Sequence, residues 1–295
     1  MKSKPLFEDI QIDLEEESAG TWEDLGRAAD APKKDVAIIG IAGKLADAGN
    51  TEEFWRNLAL GKDSIRRIPL SRKHDYEELL SAFLQKEVRK EQSEYAESGY
   101  LDQVDRFDCE YFSISRKEAK LMDPNQRLVL QSCVAAMEDA GYGKARLRGT
   151  QTGVFLGYSS DFGGEYKHFL AGENAELADL AMTGNIKSIM AARLAYLLDL
   201  HGPSMLVDTA CSSSLVAVHL ACQSIRRGEC EMAFAGGVKI QFQPFEKTQT
   251  GIGIVSPSFR ARTFDSEADG TSLGEGVGVV LLKDAAKAIR DGDHI

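Results

Sequence analysis

Residues 212–227 read as a helix whose apolar side chains cover nearly its whole circumference: Leu215, Val216, Ala217, Val218, Leu220, Ala221, Cys222 and Ile225. A helix that is apolar all round is buried on every side rather than laid on the surface of one sheet. A fold for this chain must therefore offer that helix two covers. One cover is easy to find. The runs VAIIGIA (36–42), GVFLGY (153–158), MLVD (205–208), MAFAGGVKI (232–240) and VGVVLLK (277–283) are short, rich in Val, Ile or Phe, and bounded by Gly, Pro or charge, as buried strands are. Five such strands make one sheet, and one sheet covers one face. The other face needs something else.

Between the strands lie helical patterns at 51–60, 75–92, 115–141, 183–199, 212–227 and 284–291. In 115–141, Ser115 can cap a first turn carrying Glu118. Leu128, Leu130, Val134 and Met137 form the apolar stripe, and Gly141 ends it. Alternating strands and helices predict an α/β protein with a mostly parallel sheet. The connection from 240 to 277 is rich in Gly and Phe and has no clear helix. That allows an antiparallel last pair and so a mixed sheet.

Composition bounds the function. The 295 residues are 43% hydrophobic and 27% charged, a globular balance with length enough for a substantial core. The net charge of −11 repels phosphate backbones and argues against nucleic acid as a partner. No apolar run approaches the ~20 residues of a membrane span, and no apolar core follows the basic residues of MKSKPLFEDIQ. The expectation is a cytoplasmic protein with no membrane contact. Residues 1–34 carry nine acidic and five basic groups with little periodicity. They read as a flexible acidic linker or docking tail ahead of an ordered domain at 35–295. The five cysteines are scattered, with no CxxC pair, and the five histidines form no HxxxH, so neither a disulfide framework nor a metal site is expected.

Chemistry concentrates in GPSMLVDTACSSSLVAVHLACQSIRRGE (202–229). Cys211 falls where the strand at 205–208 turns into the helix, at or just before the helix N-terminus. The free N–H groups and positive dipole end of that terminus favour a thiolate and can hold an oxyanion. The alternative is a buried thiol beside serines that merely cap the helix, and both readings stand at this point. A nucleophile also needs a base. His219 is eight residues along the same helix, about 12 Å away, and reads as a buried core histidine. His201 precedes the strand and belongs at the opposite end of the sheet. His168 lies in a Gly-rich loop, and His294 is one residue from the end.

DTACSSSLVAVHLA (208–221) resembles the active-site segment of β-ketoacyl synthases, in particular the ketosynthase domains of modular polyketide synthases. Four more segments resemble the family in its own order: 36–65, 107–131 with DPNQRL, 183–204 and 259–283. The sequence departs from it at Leu45-Ala46, where the family has Phe-Pro, and at Ala195, where it has Ser. The resemblance implies a thiolase-like fold of two similar halves in α-β-α-β-α layers, of which this chain matches the first, N-terminal half with a five-stranded mixed sheet. It also implies that Cys211 takes an acyl chain as a thioester from the phosphopantetheine arm of an acyl carrier protein. Decarboxylative condensation with a malonyl-type extender would follow.

The activity so implied is that of a β-ketoacyl-[acyl carrier protein] synthase, an acyltransferase of polyketide or fatty acid biosynthesis that binds no cofactor of its own. The family's two catalytic histidines and one oxyanion donor belong to the second half, which is expected to be absent from this chain. Hence the expected partners are a carrier protein and either a second copy of the chain or a complementing second-half polypeptide. Arg66, Arg67, Arg72 and Lys73 form the densest basic patch for an acidic carrier. Two other readings remain: a non-catalytic docking module, and a thiolase using CoA substrates.

Overall fold

A computed structural model describes residues 35–84, 87–159, 166, 181–241, 246 and 253–295. The acidic segment 1–34 and His168 lie outside the described residues. Five strands form one sheet: β1 (Val36–Leu45), β2 (Thr152–Gly157), β3 (Ser204–Val207), β4 (Met232–Lys239) and β5 (Gly276–Asp284). Their order across the sheet is β1-β5-β4-β2-β3. The strands β4, β2 and β3 run parallel, and β5 is antiparallel to both β4 and β1. Helical crossovers link β2 to β3 and β3 to β4, as parallel neighbours require. No helix is described between β4 and β5, and that pair is antiparallel. The sheet is thus mixed, as expected: only β5 runs against the other four strands.

The helices are α1 (Thr51–Ala59), α2 (Leu70–Leu84), α3 (Arg116–Leu121), α4 (Pro124–Asp139), α5 (Lys144–Leu147), α6 (Met182–Asn185), α7 (Ile189–Leu198), α8 (Ser213–Arg227) and α9 (Ala285–Asp291). The expected helix 115–141 is two helices. Ser115 caps α3 by accepting the Glu118 N–H at 3.1 Å, and Gly141 follows α4 at φ 71°. Between them Pro124 keeps Asp123 out of the helical region and opens α4 as its first residue, with Asp123 as the cap. The expected helix 183–199 likewise divides into α6 and α7. The side-chain amide of Asn185 donates to Leu121 C=O, and Asp123 N–H donates to Gly184 C=O, which ties α6 to the start of α4. The pattern at 75–92 forms earlier, as α2.

Alternate residues of each strand point to opposite faces. One face, with Ile39, Val154, Leu156, Phe234 and Leu281, packs against Leu128, Met137 and Leu194 of α4 and α7. The other, with Phe155, Val207, Ala233, Ala235 and Leu282, packs against Ala217, Ala221 and Ile225 of α8. Helix α8 needs two covers, and among the described residues it has one, on the sheet side. Leu215 is 75% exposed, Val216, Val218, Leu220 and Cys222 are half-buried, and His219 is exposed rather than a core histidine. The sheet supplies one cover, and the apolar outer stripe of α8 stays in solvent.

Candidate active site

Cys211 lies just past the C-terminal end of β3, on the sheet edge where the parallel strands β2 and β4 also end. The thiol is exposed. Ala210, immediately before it, has φ 55°, a left-handed conformation that a residue with a Cβ rarely adopts. This turns the chain sharply from strand to helix and presents residue 211 at the bend, as the sequence suggested.

Polar side chains on both sides hold the bend. An Asp208 carboxylate oxygen accepts the Ala210 N–H at 3.1 Å. The Ser212 hydroxyl reaches the Thr209 carbonyl and hydroxyl at 2.8 and 2.9 Å. The Ser213 hydroxyl accepts the Thr209 N–H at 2.9 Å and donates to the Ala210 C=O at 2.6 Å. Ser212 is the N-cap residue of α8, but its side chain makes no cap hydrogen bond. The serines therefore hold the turn instead of capping the helix. Beneath the first turn of α8, a Cβ on Gly157 would lie 2.5 Å from Ser214 N, and one on Gly237 would lie 2.9 Å from Ser214 Cβ. Only glycines let the helix seat this low on β2 and β4.

The other thiols differ from Cys211. Cys133 and Cys230 are buried and Cys109 and Cys222 half-buried. Burial pushes the thiols of Cys133, Cys222 and Cys230 up from their ordinary value and keeps them protonated. No described imidazole stands beside Cys211. His201 N–H bonds Thr150 C=O at the start of β2, the far end of the sheet, and its ring pairs with Asp199. His74 lies on α2 beside Glu78, and His294 is exposed near the chain end. Among the described residues no group of His, Cys, Asp or Glu could hold a metal ion. No described helix is long and apolar enough to cross a membrane.

The basic quartet expected to receive a carrier is matched by acids. Arg66 pairs with Asp47 and Asp102, Arg67 stands 3.8 Å from Glu97, and Lys73 pairs with Glu77. Arg72 turns inward. Its guanidinium makes a two-pronged bond to Glu275, at 2.9 and 2.8 Å, whose side chain is fully buried. Glu275 also accepts the N–H groups of Leu101 and Gln241. This node joins α2, the 98–101 segment, the end of β4 and the start of β5.

The sequence model of the β-ketoacyl synthase N-terminal domain matches residues 33–288. This chain belongs to the β-ketoacyl synthase family. Polyketide synthase PksL of Bacillus subtilis (strain 168) is 44% identical over 271 residues, which are 89% of this chain and 6% of PksL. Polyketide synthase ThaG of Burkholderia thailandensis is 41% identical over 94% of this chain and 5% of its own length. Among solved structures, the ketosynthase from module 6 of the bacillaene synthase of B. subtilis 168 superposes with a TM-score of 0.72 at 36% identity. That match covers 88% of this chain and 41% of the other. The fold is therefore the N-terminal part of a thiolase-like ketosynthase, and the chain spans well under half the length of the ketosynthase it superposes on.

Sequence reasoning placed Cys211 at a strand-to-helix turn, and it lies there. It missed the left-handed Ala210, because nothing marks an alanine for positive φ, and the alternative it left open, serines that merely cap the helix, is not what the serines do.

Proposed function

We propose that this ketosynthase chain supplies the acyl-accepting nucleophile of a carrier-protein-dependent condensing enzyme of polyketide assembly. The observation that carries the reading is the exposed Cys211 thiol on a left-handed turn at the N-terminus of α8. In this reading Cys211 Sγ attacks the thioester carbonyl of an acyl group on the phosphopantetheine arm of an acyl carrier protein. The carrier thiol leaves with the proton, and the acyl group remains as a thioester on Cys211. In this reading the Cys211 N–H donates to the tetrahedral oxyanion as it develops. Decarboxylation of a malonyl-type extender and attack of its carbanion on that thioester complete the condensation.

The described histidines do not serve this chemistry. In this reading the imidazoles that stabilise the enolate come from residues packed over the open stripe of α8 around Leu215, on the same chain or on a complementing one. A homodimer is part of the proposal. The strand β3 is the sheet edge, with Ser204 and Met205 exposed, and its free backbone groups suit pairing with a second copy.

The test incubates the folded protein with an acyl-carrier-protein thioester and maps the modified peptide by mass spectrometry. Acyl mass on Cys211, absent in Cys211→Ala, is expected, and faster from the carrier thioester than from acyl-CoA. Faster transfer from acyl-CoA would favour a thiolase-like substrate class. Carrier binding with no acyl transfer would replace the reading with a docking module.

A further inference from the structure

We propose that Ser213 is a positioning residue for the Cys211 thiol: its hydroxyl bridges the Thr209 N–H and the Ala210 C=O and so holds the left-handed turn that presents the thiol. The proposal rests on the reading of Cys211 as the nucleophile.

A left-handed alanine persists only where its surroundings over-determine it. Here the clasp is specific. One hydroxyl takes the N–H of the residue before Ala210 and gives its proton to Ala210's own carbonyl, at 2.9 and 2.6 Å. The Asp208–Thr209 and Ala210–Cys211 peptides are thereby bridged across Thr209 and Ala210 and fixed relative to the first turn of α8. The three consecutive serines differ in a way that singles out this one. Ser212 and Ser214 are exposed, so water can replace their hydroxyls, whereas Ser213 is 5% exposed and water does not readily take the place of its hydroxyl. Ser213 is also wedged from below, since a Cβ on Gly157 would stand 2.6 Å from its carbonyl carbon. Its main chain cannot sink to make up for a lost hydroxyl. Without the clasp, Ala210 relaxes towards negative φ and the thiol swings from the sheet edge.

The experiment measures the rate of Cys211 alkylation by limiting iodoacetamide in the whole chain, read by peptide mass spectrometry, with Cys109 in the same molecule as the reference. Ser213→Ala is expected to slow Cys211 about tenfold relative to Cys109, the scale of a modest misplacement of a reacting atom. Ser213→Thr, which keeps the hydroxyl, is expected to stay near the parent rate, and Ser214→Ala is the exposed-serine control. Ala210→Gly placed on Ser213→Ala should recover most of the loss, because glycine takes the left-handed turn without support. If Ser213→Ala does not fold, Ser213→Thr and Ser213→Val, nearly equal in size, isolate the hydroxyl. A slow valine variant supports the clasp, and equal threonine and valine rates overturn it. Parent-like labelling of Ser213→Ala also overturns it, as does Ser213→Thr slowed as much as Ser213→Ala. If Cys211 in the parent chain labels no faster than Cys109, the nucleophile reading fails. The ratio between serine variants is still measured, so the two failures are distinct.

Discussion

Glu275→Ala removes the centre of the buried node and should be the most damaging single polar substitution in the sheet region. The glutamate side chain is 0% exposed and Arg72 is 10% exposed, so solvent screens their pair little. Truncation leaves the Arg72 guanidinium buried with only the Leu101 and Gln241 carbonyls, and it orphans the N–H groups of Leu101 and Gln241. Breaking a buried pair from one side costs about 3–5 kcal/mol, and each buried unpaired N–H about 1 kcal/mol or more. Water entry offsets part of this, so the expected loss is about 4–5 kcal/mol. At about 2–4 °C per kcal/mol for a domain of this size, the melting midpoint should fall by roughly 10–20 °C. Equilibrium urea unfolding gives the free energy directly, and a thermal melt checks it. The pair Arg72→Met with Glu275→Leu, which removes both charges and fills the space, should lose less than Glu275→Ala alone. A loss under about 1 kcal/mol for Glu275→Ala, or a double variant as poor as the two singles added, would refute the argument that an uncompensated charge dominates.

Gly236→Ala should cost several kcal/mol or abolish folding, because its Cβ would lie 2.0 Å from the Gly278 carbonyl oxygen and neither backbone can yield; soluble expression and circular dichroism report it. Burial pushes the Glu77 carboxyl up, but the Lys90 N–H and the Lys73 ammonium outweigh it and hold the group below its ordinary 4.5. The stability it adds is present above about pH 4.5 and is lost as the pH falls through the lower folded value, so the gap in melting midpoint between the parent and Glu77→Gln should narrow as the pH is taken down from 4.5. Leu215→Glu, on the open stripe of α8, should reduce the binding of a hydrophobic dye while shifting the melting midpoint by less than about 2 °C.

The parts of this fold that local pattern determines were legible. The five strands follow from short apolar runs, and the α3 start follows from Ser115 and Glu118. The position of residue 211 at a strand-to-helix turn followed from the small residues around it. What escaped depends on contacts between distant residues or on rare backbone states. Arg72 looked like part of a surface patch because its partner, Glu275, is 203 residues away in sequence. Pro124 is visible in the sequence and does break the predicted long helix; the apolar stripe on either side of it concealed the break. Helix α8 looked buried on all sides because composition reports what must eventually be covered, not what this stretch of chain covers.

The pairing of β1 with β5 has a consequence for synthesis on the ribosome. Val36 lies opposite Asp284, so the first strand finds its neighbour only after about 250 further residues exist. At ~5–20 residues per second that is a wait of roughly 12–50 s. During that time Ile38 and Ile41, which remain about half exposed even in the finished sheet, sit on a strand with no partner. Such an edge attracts other nascent chains. In a relative as long as PksL, where this match is 6% of the protein, the matching segment would pass through the same interval. Chaperone demand should therefore peak late in the translation of the domain, just before the strand that closes the sheet emerges.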